Sequence, residues 1–142
     1  MKILVLHGPN LNLFGRREPH IYGTMTLAEI NDKLQALARE LKVELDILQS
    51  NHEGDLVDWL HEAHFAQAKA VLLNAAAYTH TSIALLDAIK SIKVPVIEVH
   101  ISDPTVREEF RRVSFIGMGA VDTVQGLGAR SYVHALEKAM AL

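Results

Sequence analysis

Cysteine is absent from the 142 residues. The chain therefore has no disulfide, no thiolate nucleophile and no cysteine-based metal site, which fits a reducing compartment such as the cytoplasm. Long apolar runs are missing too: none approaches the roughly 20 residues needed to span a bilayer. A secretory signal is not expected, because charged Lys2 leads straight into a short apolar run. Nor is there a basic excess. The net charge of −3 argues against a general nucleic-acid binder, while leaving room for a local basic cluster that serves a small anion. Neither membrane nor nucleic acid is expected as a partner. Linkers, repeats and low-complexity stretches are also lacking, so residues 1–142 read as one domain, long enough to bury roughly 68–70% of its unfolded surface. Lysine is scarce beside histidine, seven against eight.

What is present alternates short apolar runs with helical stretches. Ile3 to Leu6, Leu45 to Leu48, Ala70 to Asn74, Val94 to Ile101 and Val121 to Val124 read as strands. Thr26 and Glu29 form a capping box ahead of the stripe Leu27, Ile30, Leu34, Leu37 and Leu41. Further helices are expected over Leu56 to Phe65, from about Thr81 to Ile92, and from about Ser131 onwards. Asp103 then Pro104 reads as an N-cap and first helical position, opening a helix through Arg112. Val113 to Gly119 has no assignment. Five βα units with near-continuous apolar strands imply a parallel sheet covered on both faces. The fold class expected is α/β, a flavodoxin-like, doubly wound, five-stranded parallel sheet.

In such a sheet, ligands bind outside the carboxyl ends of the strands. His7 and Asn10 follow the first strand, Asn51 and His52 the second, Asn74 and His80 the third; His100 and Ser102 end the fourth. Arginines 16, 17, 107, 111, 112 and 130 lie in or near these connections. The lysines lie before strands or on helices, so a Schiff-base lysine is not expected. Imidazole, amide and guanidinium groups converge, a set suited to an oxygen-rich anion.

The segment Gly8 to Gly23 is long for an irregular loop and reads as a lid over about residues 10–23. It carries Arg17 and Tyr22, and a guanidinium beside a tyrosine favours phenolate, a usable base. The alternative is a surface loop with Tyr22 as a packing anchor. Period-two alternation puts Glu98 and His100 on one face of a buried strand, where two ionisable groups are costly unless paired. Glu98 is expected to orient the His100 imidazole as an acid; the alternative is a purely structural pair. Ser102-Asp103-Pro104 marks a helix start that can receive a carboxylate. Asn74 is either a ligand or a capping residue, and Asp87 reads as a solvated helix residue. His61-Glu62-Ala63-His64 lacks the i, i+4 spacing of a zinc helix, and Gly126-Leu127-Gly128 is no dinucleotide fingerprint. An acidic phospho-receiver pocket is excluded because Asn74 stands where its aspartate would be. A non-catalytic binder of a small acid, or another lyase or hydrolase of a polyhydroxylated ring acid, uses the same features.

Gly8-Pro9-Asn10-Leu11-Asn12-Leu13, Arg17-Glu18-Pro19 and Tyr22-Gly23 together resemble the signature of type II 3-dehydroquinate dehydratases. Asn74-Ala75-Ala76-Ala77-Tyr78-Thr79-His80-Thr81-Ser82, Glu98-Val99-His100-Ile101-Ser102 and Arg107-Glu108-Glu109-Phe110-Arg111 agree in order along nearly the whole chain. Many members carry proline and glycine where Ala75 and Ala76 stand, and Phe115 to Thr123 departs from the family. The resemblance implies dehydration of 3-dehydroquinate without metal, organic cofactor or Schiff base, in a homododecamer built as four trimers. By position it implies Tyr22 as base with Arg17 beside it, Asn10 at the enolate, and His100 as acid with Glu98 behind it. Asn74 and the Ile101 and Ser102 amides would hold the carboxylate, His80 and Arg111 the ring hydroxyls. Asp87 would serve a neighbouring subunit's site.

Overall fold

The strands Lys2–His7, Ala70–Asn74 and Val96–Val99 are short and apolar enough to be covered on both faces, and each is followed by a segment that crosses back over the sheet. The computed structural model describes residues 1–16 and 18–142. The order is β1 (Lys2–His7), a 3-10 turn at Leu11–Leu13, α1 (Pro19–Tyr22), α2 (Leu27–Leu41), β2 (Glu44–Gln49), α3 (Glu53–Phe65) and β3 (Ala70–Asn74). A 3-10 turn at Ala76–His80, α4 (Ile83–Ser91) and β4 (Val96–Val99) follow. Two further 3-10 turns, Pro104–Val106 and Glu109–Arg111, lead to α5 (Phe115–Gly119), β5 (Asp122–Val124) and α6 (Arg130–Met140).

The strands pair in parallel in the order β2-β1-β3-β4-β5. This is the flavodoxin-like, doubly wound α/β arrangement the sequence predicts. Alternate residues of each strand feed two cores. Ile3, Val5, Leu72 and Ile97 face α2 and α6; Leu4, Leu6, Val71 and Leu73 face α3, α4 and the buried Ile116 of α5. The capping box forms as expected, Thr26 Oγ1 accepting from the Glu29 N–H at 3.2 Å while Glu29 Oε1 takes the Thr26 N–H at 3.3 Å.

Three stretches differ from expectation. The predicted helix from Asp103 through Arg112 is two separate turns. Asp103 does cap, accepting the Thr105 N–H at 3.0 Å, but Arg107 and Glu108 are extended. Val106 and Phe110 stay exposed, so the segment has no continuous apolar stripe, and a helix there would have nothing to bury. The long first connection is less irregular than its composition implies, because Leu11 and Phe14 plug into the core and α1 forms just before Gly23. The unassigned stretch contains α5, which Ser114 opens by accepting the Gly117 N–H at 2.9 Å.

Strand order reverses between β1 and β3, which opens a crevice at their carboxyl ends. Gly8 lets the two connections touch. Its N–H donates to Asn74 O at 2.8 Å, and a Cβ there would lie 2.7 Å from the Ala75 carbonyl carbon and oxygen.

Candidate active site

A cleft of about 150 Å3 lies at that switch point. Its walls include Asn10, Tyr22, Asn74, His80, His100, Ile101, Ser102 and Arg111, all of which the sequence nominates. Arg17 lies outside the described residues. Glu98 stands behind His100 rather than in the wall, and Asp87 is exposed on α4, away from the cleft.

Tyr22 reaches the cleft from the end of α1, its ring 5.8 Å from that of Phe14. The Arg107 guanidinium lies over the same ring, 5.2 Å from its centre. Arg107 also points a nitrogen at Ser102 Oγ, 3.4 Å away, and lines the cleft. The sequence groups Arg107 with five other arginines and sets it at the start of the matching Arg107-to-Arg111 segment, without giving it a role. Arg111, with Nε donating to Glu108 Oε2 at 2.7 Å, is the other arginine of that group in the wall among the described residues.

Across the cleft, His100 Nε2 and Glu98 Oε2 are 2.7 Å apart, both buried, so the expected pairing is present. The carboxylate is held from two more elements. Ser114 donates to Oε2, and Thr123 Oγ1 donates to Oε1 at 2.9 Å. Burial pushes the Glu98 carboxyl up, but the hydrogen bonds from His100, Ser114 and Thr123 and the imidazole's charge outweigh it and hold the group below the usual carboxylate range. Glu98 is thus a fixed anion bonded to Nε2 of the ring, which leaves Nδ1 outside that pair. Ser114 and Thr123, single hydroxyls outside any motif, were not legible as supports.

Asn10 takes a left-handed backbone, φ 69°, and its N–H donates to Asn51 Oδ1 at 3.0 Å. Gln49 Nε2 donates to the same oxygen at 3.2 Å, so the second connection sets the first. His80 Nδ1 bonds to Val113 O at 2.7 Å. Burial foremost, with the nearby His100 and Arg111 charges, lowers its pKa against the raising effects of the Val113 hydrogen bond and of Glu98, which favours the neutral imidazole. Ser102 and Asp103 precede one short turn, Pro104–Val106, which lacks the dipole of a long helix.

His7 ends β1 but turns away from the cleft into the core, where burial lowers its pKa to about 4 against a hydrogen bond with Asn31 that raises it. A histidine depressed on folding contributes stability that is complete above the unfolded pKa of about 6.5 and shrinks as pH falls. Between about pH 6.5 and the folded value of about 4, roughly 3 kcal/mol should be lost. Urea unfolding across that window should show the slope in the parent and a much shallower one in His7→Gln. Equal slopes would rule out His7 as its source.

Residues 1–140 match the family model described as Dehydroquinase class II. The 3-dehydroquinate dehydratase of Endomicrobium trichonymphae is 51% identical over 141 residues, covering 99% of this chain and 98% of that protein. The 3-dehydroquinate dehydratase of Caulobacter vibrioides is 51% identical over 140 residues, covering 99% of this chain and 95% of that one. The solved type II dehydroquinase from Butyrivibrio crossotus superposes with a TM-score of 0.96 at 38% identity, over 98% of this chain and 97% of its own.

Proposed function

The chain belongs to the type II dehydroquinases, and on that premise we propose how its cleft carries out their reaction. That reaction is the dehydration of 3-dehydroquinate to 3-dehydroshikimate and water, a hydro-lyase step of the shikimate route to aromatic amino acids. The observation that carries the mechanism is that Tyr22 and His100 line one cleft from opposite sides, together with Asn74, Ile101 and Ser102.

The substrate carboxylate is held by Asn74 and by the Ile101 and Ser102 N–H groups, and the ring hydroxyls by His80 and Arg111. Tyr22, as phenolate, takes a proton from the carbon beside the ketone, and the C–H electron pair moves into the enolate. Arg17 and Arg107 supply positive charge for the anion that Tyr22 must be at that moment; Arg107 is added to the expected set by its position over the ring. Asn10 stabilises the enolate oxygen through a water. The enolate then reforms the ketone and breaks the C–O bond, and His100 gives its proton to the departing hydroxyl. Glu98 orients the ring and offsets its charge. Proton return from Tyr22 to His100 through solvent resets the site.

Base and acid stand on different connections, so residues of about 10–23 act as a lid that closes over the substrate. We further propose a homododecamer of four trimers in the cytoplasm. Supporting it, large apolar side chains Ile83, Phe110 and Met118 are left exposed, and exposed Asp87 shares the helix of Ile83, free to enter a neighbour's site.

The product is a conjugated enone and the substrate is not. Adding 3-dehydroquinate should raise ultraviolet absorbance, borohydride should leave the rate unchanged, and sedimentation of the same sample should give twelve subunits. Tight binding with flat absorbance would replace the enzyme with a small-acid binder.

A further inference from the structure

Behind the cleft wall, polar side chains from four elements form one chain. Tyr132 of α6 is wholly buried. Its hydroxyl stands 2.9 Å from Asn74 Nδ2 and 3.0 Å from His7 Nδ1. His7, equally buried, places Nε2 at 3.0 Å from Asn31 Oδ1 on α2. The chemistry of the ends fixes the directions. Asn31 Oδ1 can only accept, so the His7 proton is on Nε2 and Nδ1 faces Tyr132 as an acceptor. The Tyr132 hydroxyl donates to that nitrogen and accepts from Asn74.

Both partners keep these roles through the working pH range. Burial raises the Tyr132 phenol well above its ordinary value, against the lowering effect of the Asn74 hydrogen bond, so its hydroxyl stays a donor. Burial keeps His7 neutral until about pH 4. At the other end of the Asn74 amide, Oδ1 accepts the Ala76 N–H at 3.1 Å. A flipped amide would set its oxygen against a hydroxyl whose hydrogen already points at His7, and its NH2 against the Ala76 N–H. Both bonds would be lost in a buried site, so one orientation is imposed. It leaves one Nδ2 hydrogen for the cleft that Asn74 lines.

We propose that Tyr132, set by His7 and Asn31, is a positioning residue for the reaction: it fixes the Asn74 amide so that a donor, not an acceptor, meets the substrate carboxylate. The inference rests on the reading of Asn74 as a carboxylate ligand. A donor held in place before and during the chemical step acts on substrate and transition state alike, so its effect belongs in KM rather than kcat.

The test is a cycle of Tyr132→Phe, Asn74→Ala and the double variant, each assayed for KM and kcat and checked for folding by Tm. Asn74→Ala should raise KM at least about tenfold, and Tyr132→Phe about five- to tenfold with kcat within about twofold. The double variant should match Asn74→Ala alone, because Tyr132 acts only through that amide. A lower Tm with unchanged KM in Tyr132→Phe, while Asn74→Ala still raises KM, would make the chain structural only. Full additivity would show Tyr132 acting elsewhere. An unchanged KM in Asn74→Ala would remove the carboxylate ligand and the proposal with it. Should Tyr132→Phe not fold, Asn31→Ala at the half-buried outer end loosens the His7 tautomer. It should raise KM about threefold in the parent and not at all beside Asn74→Ala, and no rise in the parent would overturn the proposal.

Discussion

Tyr22→Phe is expected to yield a folded protein that binds 3-dehydroquinate almost as the parent does and turns it over about a thousandfold more slowly, within the 10²–10⁴ range that a positioned base contributes. The phenylalanine ring keeps the contact with Phe14 at 5.8 Å and the place beneath Arg107, so the cleft wall persists. What disappears is the one oxygen able to take the carbon-bound proton. A group used only in the transition state lowers kcat and kcat/KM together and leaves KM in place. Steady-state kinetics with the enone assay, beside a melting curve, separates this from the reading of Tyr22 as a packing anchor. Near-normal turnover would end its candidacy as the base.

The second large effect is at His100. His100→Ala removes the acid, so the hydroxyl must depart without a proton donor, and kcat should again fall by about a thousandfold or more. Binding of the carboxylate should weaken only a few-fold, since Asn74 and the Ile101 and Ser102 amides remain. The substitution also removes a partner 2.7 Å from buried Glu98, which destabilises by up to about 3–5 kcal/mol when a buried charge loses its counterpart. Ser114 and Thr123 still donate to that carboxylate, which moderates the loss. Substrate affinity of the inactive variant, measured by calorimetry below its melting temperature, decides the role. Affinity lost in proportion to turnover would make His100 a binding residue.

The sheet was legible because its three central strands are buried on both faces and because residues at the carboxyl ends are polar. The Glu98–His100 pair could be read from period-two alternation in a strand that should have been wholly apolar. Tyr22, Asn10, Asn74 and Arg111 were reached from loop position and from the family signature. Hidden from view were contacts made by residues remote in sequence, each ordinary in its own neighbourhood. Ser114 lies in the stretch without an assignment and Thr123 reads as a strand residue, yet both hold Glu98. Arg107 looks like one of several arginines until the turn at Pro104–Val106 brings it over Tyr22. That turn was itself misread, because Asp103-Pro104 signals a beginning and carries no information about how soon the helix stops. Tyr132 and Asn74 are 58 positions apart, and a tyrosine in an amphipathic helix gives no hint that its hydroxyl ends under an active site.

The last helix, Arg130–Met140, packs beneath β3 and carries that hydroxyl. During synthesis the ribosome delivers base, acid and carboxylate ligand well before this segment emerges. A nascent chain holding every reacting group would therefore still lack the strut under Asn74, and tight capture of the substrate carboxylate would have to wait for that helix.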